Sequence, residues 1–291
     1  MECATLKKNN KISKTAFREA RAGYLFILPN LVGFTIITLI PVVLGFVISF
    51  TNYRGFSGAE FVGIKNYASL LKDSQFINAL KNTMIYSFSV VPLTMISSLL
   101  LALALNRKIW MGSFFKTVFF FPNLTSYIAI GCVACMIFEP NGGLVNSCLS
   151  IIGVSEAVLP KWFNSTHTAL ITVILVVVWR QAGYYMIMFL GGLKNIPTQL
   201  YEAAKIDGAN GLQLFKNITW PLLTPITFMV AILNFIDAFQ SFDIFKATTD
   251  GGPGRATTLL VYRIYNVAFK DMKMGYGSAM AYFLFAIILV I

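Results

Sequence analysis

Apolar residues along this chain run in long blocks instead of alternating or recurring once per turn. Tyr24 to Phe50 forms the first block, with Pro29, Asn30 and Pro41 as its main interruptions. Blocks at about 83–105, 115–138, 169–191 and 221–242 follow, and a last one begins near Gly275 and is still running at Ile291. A helix needs about 20 mostly apolar residues to cross a bilayer. The pattern therefore predicts an all-α membrane protein with six transmembrane helices, the sixth cut short. Prolines inside such helices are tolerated because neighbours re-satisfy the freed carbonyls. No internal repeat or low-complexity linker divides the chain, so residues 24–291 are expected to form one transmembrane domain behind a basic N-terminus, 1–23.

Composition agrees with the pattern. Hydrophobic residues make up 57%, charged residues 12%, and mean hydropathy is +0.71; a soluble domain carries about 25% charged residues. The net charge of +11 would suggest a nucleic-acid partner in a soluble chain. In a membrane chain it sets topology and meets anionic headgroups, so lipid is the expected partner and nucleic acid is not. Lys7, Lys8, Lys11, Lys14, Arg18 and Arg21 precede the first block, which places the N-terminus in the cytoplasm. That block is too long for a signal-peptide core and lacks a clear small-residue cleavage site. Cys132 and Cys135 have redox-motif spacing, but on a membrane helix positions i and i+3 simply share a face. With Cys3 and Cys148 they do not suggest a disulfide framework. His167 is the only histidine, so no multi-histidine metal site is expected.

The cytoplasmic stretch 196–220 is richer than a hairpin between two spans requires. Pro197 and Thr198 make a helix start; Leu200, Ala203, Ala204 and Asp207 follow at helical spacing. Gly208 suits the left-handed residue that ends a helix. Asn210 can cap a second helix from Gly211 through Asn217, after which Pro221 opens the fifth span. Small residues at Ala203, Ala204, Gly208 and Ala209 would let this helix–turn–helix fit closely into a partner's groove.

Polar residues inside spans are costly and are functional candidates by default. Arg180 and Asp237 are expected to face the bundle interior or a water-filled cavity, either contacting a substrate or forming an ion pair with each other. Arg180, Gln181 and Tyr184 share a face of the fourth span. Asn234, Asp237 and Ser241 follow i, i+3, i+7 on the fifth, and Asn123 and Tyr127 stand at i, i+4 on the third. Three stripes of planar donors, acceptors and aromatic rings suit a sugar. Arg180 permits an acidic one.

Glu202-Ala203-Ala204, Asp207-Gly208-Ala209, Phe215, Ile218 and Pro221 resemble the "EAA" loop of permease subunits in binding-protein-dependent ABC importers. Trp220 departs mildly, standing where many members have Leu. The resemblance continues through Phe61-Val62-Gly63-Ile64-Lys65-Asn66-Tyr67, Asn82-Thr83, Thr249-Asp250-Gly251-Gly252-Pro253, Ala268-Phe269 and Gly275-Tyr276-Gly277-Ser278-Ala279. This combination is similar to the maltose-type carbohydrate branch, in its commoner six-helix form. The resemblance implies a bacterial cytoplasmic-membrane subunit paired with a second, related permease. It also implies an ATPase dimer docked at Glu202, Ala203, Ala204, Asp207 and Gly208, and an external sugar-binding protein near Gly251, Gly252 and Pro253. Sugar-binding positions of maltose-type permeases also fall on the three striped helices.

The chain has no GxxxxGK[ST] phosphate loop, so it is not expected to be an enzyme or to hold a cofactor; ATP and Mg belong to the ATPase. An ion-gradient-driven secondary transporter is the alternative. It would predict broken helices at corresponding positions of two repeats, which the sequence does not suggest.

Overall fold

The computed structural model describes residues 14–55, 58–107, 109–155 and 158–291. Cys3, Lys7, Lys8 and Lys11 lie outside the described residues, which are helical throughout except for connecting loops and one isolated bridge between Thr51 and Phe61. In chain order the helices are α1 (Lys14–Phe34), α2 (Ile40–Ser49), α3 (Lys65–Leu70), α4 (Ser74–Leu105), α5 (Gly112–Leu124), α6 (Tyr127–Ile137) and α7 (Leu144–Ile151). They continue with α8 (Ala169–Lys194), α9 (Thr198–Ile206), α10 (Gly211–Leu214), α11 (Trp220–Phe239), α12 (Asp243–Thr248), α13 (Leu260–Tyr265) and α14 (Met274–Val290).

Four continuous helices are long and apolar enough to cross a bilayer: Arg21–Ser49, Ser74–Leu105, Ala169–Lys194 and Gly211–Phe239. The first and last each contain one widened π-turn, at Thr35–Leu39 and Phe215–Thr219. Both lie two residues before a proline, Pro41 and Pro221. A proline ring collides with the carbonyl four residues earlier; here that is Ile37 or Asn217, each inside the widened turn. The helix therefore runs through Pro221 without stopping, whereas the sequence reading starts the span there. The second span likewise begins earlier than expected, at Ser74, where the Asp73 carboxylate accepts from the Gln75 and Phe76 amides. Such an N-cap contributes about 1 kcal/mol.

The expected single span at 115–138 is two helices, α5 and α6, bent by 99° at Thr125–Ser126. Thr125 (φ −83°, ψ 142°) and Ser126 (φ −63°, ψ 148°) are both extended. Ser126 starts α6 by accepting the Ala129 amide at 3.3 Å. Pro122 lies in the last turn of α5, where it removes a backbone donor. The expected sixth span corresponds to the shorter α14.

α4 and α8 form the centre. At one end Tyr86, Val90 and Val91 of α4 pack with Val173 and Val177 of α8, Ile130 and Ala134 of α6, and Phe245 of α12. At the other, Ala102 meets Tyr185, Met186 and Phe189 together with Leu223 and Val230 of α11. A third cluster joins Leu70 and Phe76 to Phe239, Leu260, Met280 and Leu284. The α1–α2 helix, by contrast, buries none of its apolar window within this chain.

One glycine fixes the seat of α5. A Cβ at Gly183 of α8 would stand 1.8 Å from the Phe119 carbonyl oxygen, so α5 rests on bare backbone. Core overpacking typically costs about 1–3 kcal/mol where side chains can yield; here the obstacle is main chain. Gly183→Leu is expected to destabilise the protein by at least about 3 kcal/mol, read as a fall in thermal unfolding temperature in detergent. A melting curve matching the parent's would show that α5 does not rest there.

Candidate functional site

The bend between α5 and α6 leaves backbone carbonyls without helical partners, at a depth where the sequence is apolar. Unsatisfied main-chain groups cost several kcal/mol in a bilayer interior. Arg180 of α8 supplies the missing donors. Its Nε donates to Thr125 O at 3.3 Å, and Nη2 to Asn123 O at 3.0 Å and Thr125 O at 3.1 Å. Nη1 reaches Asn123 Oδ1 at 3.3 Å. The guanidinium carbon lies 3.6 Å from the centroid of the Tyr127 ring, in the geometry of a cation–π contact.

Beside this staple is a cavity of about 450 Å³, lined by Asn123, Tyr127, Arg180, Gln181, Tyr184, Asp237, Gln240, Ser241, Phe242, Asp243 and Ile244. Its volume is within the ~300–1,000 Å³ typical of small-molecule sites. Further contacts hold the wall in place. Gln181 Nε2 donates to Tyr127 Oη at 2.9 Å, and Tyr185 Oη to Asp237 Oδ2 at 2.8 Å. Tyr86 Oη donates to Ser241 Oγ at 3.4 Å.

The structure thus brings together every predicted polar-stripe residue except Asn234. Arg180 and Asp237 face the same cavity without forming an ion pair, because the guanidinium turns to the helix break and Asp237 turns to Tyr185. Asn234 sits on the fully buried face of α11 with Val230 and Ala238. Neither of its amide atoms has a hydrogen-bond partner among the described residues. Gln240, Phe242, Asp243 and Ile244 were missed. They lie where α11 ends at Phe239 and the chain turns into α12 at Asp243; the i, i+3, i+7 pattern picks out only Ser241 there, because helical spacing no longer applies beyond Phe239.

The residues of the 196–220 loop are arranged as the sequence suggests at the first helix and its turn. Gly208 has φ +81°; its amide donates to Lys205 O at 3.1 Å, and the Ala209 amide to Ala204 O at 2.9 Å. These two bonds define a Schellman ending. Asn210 and Gln213 then exchange bonds of 2.8 and 3.0 Å in a capping box. The second helix does not stop at Asn217 but continues into α11. Glu202, Ala203, Asp207 and Gly208 are exposed and Ala204 is half-buried. Ile206 and Leu212 are 86% and 76% exposed, two apolar side chains beside the small residues of the turn. Tyr201 Oη lies 2.9 Å from Thr219 Oγ1, tying α9 to the foot of α11.

Gly251, Gly252 and Pro253 lie in a braced loop far along the chain from these features. Thr257 Oγ1 donates to Gly252 O at 2.6 Å and Thr258 Oγ1 to Gly251 O at 2.8 Å. Lys246 pairs with Asp250, which also accepts from Tyr262 Oη at 2.8 Å.

Residues 95–291 match the family described as "Binding-protein-dependent transport system inner membrane component". The chain belongs to this family. Among its relatives is the arabinooligosaccharides transport system permease protein AraP of Bacillus subtilis, 36% identical over 94% of this chain and 87% of that protein. The trehalose/maltose transport system permease protein MalF of Thermococcus litoralis is 35% identical over 97% of this chain and 94% of its own. A solved chain of a bacterial alginate ABC transporter, in complex with alginate pentasaccharide-bound periplasmic protein, shares the fold. Its TM-score is 0.83 at 22% identity, covering 96% of this chain and 94% of that one. The protein is a multi-pass permease component of the carbohydrate type of ABC importer by family, as its EAA-like loop suggests.

Two outcomes follow from the geometry. An unpartnered buried amide costs about 1–3 kcal/mol, so Asn234→Leu is expected to raise thermal stability in detergent by a comparable amount; a lowered melting temperature would mean that the amide is paired. In the loop carrying Gly251, Gly252 and Pro253, the Lys246 ammonium and the Tyr262 hydroxyl hold the Asp250 carboxyl below its usual range. Their support is present above the unfolded pKa and is lost as pH falls through the folded one. Carboxyl-carbon NMR should place the Asp250 midpoint below about 3.9, and Lys246→Met should move it upward. An unmoved midpoint would show that the pair does not persist in solution.

Proposed function

We propose that this permease carries a sugar or oligosaccharide inward across the bacterial cytoplasmic membrane. The observation that supports this most directly is the cavity itself, whose wall carries amides, a hydroxyl, carboxylates and two tyrosine rings. Planar donors and acceptors suit sugar hydroxyls, and ring faces suit the apolar side of a pyranose. Relatives that carry arabinooligosaccharides or trehalose and maltose point the same way.

In this reading the chain contributes six spans, with α14 part of the sixth, and its N-terminus is cytoplasmic. It pairs with a second, related permease. An external sugar-binding protein delivers substrate at the face carrying Gly251, Gly252 and Pro253. A separate ATPase dimer, holding ATP and Mg, docks on the exposed α9–α10 turn through Glu202, Ala203, Ala204, Asp207 and Gly208.

A change of access needs an element whose energy differs between the two states. The α9–α10 turn is well suited: Tyr201 connects it to Thr219, and α11 runs from there past Asp237 to Phe239 without a break. Movement of the docked ATPase subunits would tilt α11 and alter the cavity wall. Sugar received on the outward side is then released on the inward side.

The test is reconstitution. Purified with its partners, the chain should bring down a second permease and an ATPase, and the complex should import a labelled oligosaccharide at the expense of ATP. Gly208→Val places a β-branched residue at positive φ, at a cost of roughly 1–2 kcal/mol, and Glu202→Trp adds bulk at the exposed turn. Each is expected to cut ATP-driven import at least tenfold while the chain remains in the membrane. Full import by both variants would remove this turn from the docking site. Import driven by an ion gradient without ATP would overturn the importer reading.

A further inference from the structure

The cavity wall carries one cation and two carboxylates, and the cation is already engaged. A guanidinium has five N–H donors. Arg180 directs four of its hydrogen bonds to Thr125 O, Asn123 O and Asn123 Oδ1, and lays its plane over Tyr127. The two carbonyls belong to the C-terminal end of α5, where a helix presents roughly half a negative charge. The Arg180 charge is therefore opposed by backbone as well as tied down by it. It is poorly placed to receive an anionic substrate.

The carboxylates are in the opposite condition. Asp237 accepts one bond, from Tyr185 Oη on Oδ2, which leaves Oδ1 for the cavity. Asp243 opens α12 and is exposed. Neither has an ion-pair partner among the described residues, and no lysine or histidine lines the wall. Gln240, Gln181 and Asn123 are neutral. The wall thus offers charge-assisted acceptors for hydroxyl donors, which bind more strongly than neutral acceptors, and like charge to any carboxylate that enters.

We propose that this cavity selects uncharged carbohydrates and rejects acidic ones, with Asp237 and Asp243 as the discriminating groups. The proposal rests on the carbohydrate reading above and specifies its substrate class. It also reverses the expectation that Arg180 would admit an acidic sugar. Charge is a strong discriminator in a partly enclosed site, because water that would screen two carboxylates is displaced as the substrate enters.

The experiment uses the assembled importer in detergent, without its binding protein, so that only the membrane cavity selects. Calorimetric titrations compare maltotriose, xylotriose and arabinotriose with trigalacturonate and trimannuronate. The best neutral trisaccharide is expected to bind at least tenfold tighter than either uronate. The double variant Asp237→Asn, Asp243→Asn should narrow that ratio at least tenfold; both asparagines keep the side-chain shape, and size-exclusion chromatography verifies that the complex is intact. Equal binding of uronates by the parent, or an unmoved ratio in the intact double variant, overturns the proposal and leaves the carbohydrate reading standing. Binding of no trisaccharide of either kind by the intact parent overturns both. Should the double variant fail to assemble, Asp243→Asn alone, on the exposed first turn of α12, is expected to narrow the ratio about threefold, and no change there counts against the proposal.

Discussion

The bond set between Arg180 and the α5–α6 break is the constraint on which the central structure depends. A bilayer-spanning helix satisfies its own backbone; a helix bent by 99° does not. The break is possible only where a donor of matching geometry lies at the same depth. Arg180 fits because its planar fork can reach Asn123 and Thr125 together, which a lysine's point charge would do less well. The arginine is in turn held in place by two carbonyls and a ring, so each half makes the other tolerable. Gly183, one turn along α8, lets α5 approach closely enough for the fork to reach.

Bending the third apolar block also creates the cavity. With α6 turned away from α5, Tyr127 swings beside Gln181 and Arg180, and the space is closed by the end of α11. That wall is held by two tyrosines from neighbouring helices, Tyr185 on Asp237 and Tyr86 on Ser241. The same α11 is anchored at its other end by Tyr201 and Thr219. A single continuous helix, Gly211–Phe239, therefore joins the α9–α10 turn to the cavity. The π-turn at Phe215–Thr219 preserves that continuity by making room for Pro221.

How much of this was legible depends on how local the determining physics is. The end of α9 at Gly208 and the start of the next helix at Asn210 follow from single-residue rules, and the structure agrees with the reading there. The stripes containing Arg180, Gln181 and Asp237 follow from helical spacing plus the cost of polarity in lipid. The break was not seen, because residues 115–138 read as one apolar block and a proline within it is compatible with a straight span. Its local signal was present in Pro122 followed by Thr125-Ser126, with Ser126 three residues ahead of the amide it caps. The Arg180 staple was out of reach because it joins residues far apart in sequence; charge in a span announced a partner but not that the partner would be main chain. Asn234 shared a spacing with Asp237 and Ser241, yet α11 turns it to the core.

The opposite end of the bundle is held by polar contacts of a different kind. Asn82 Nδ2 donates to Arg255 O and Thr258 O at 3.0 and 3.2 Å, and the Leu260 amide donates to the buried Thr83 Oγ1 at 2.8 Å. These bonds fasten the braced loop carrying Gly251, Gly252 and Pro253 to the N-terminal part of α4. α4 also packs along α8, which carries Arg180, and against α11, which carries Asp237. The loop is therefore tied through α4 to the helices that form the cavity. Asn82 and Thr83 belong to a family-like string in the sequence; their physical role is to bond the loop to α4. The cavity thus lies between two anchored ends, the Tyr201–Thr219 contact on one side and the Asn82–Thr83 clamp on the other. Its wall contains the stapled break, where Arg180 of α8 holds the carbonyls of Asn123 and Thr125.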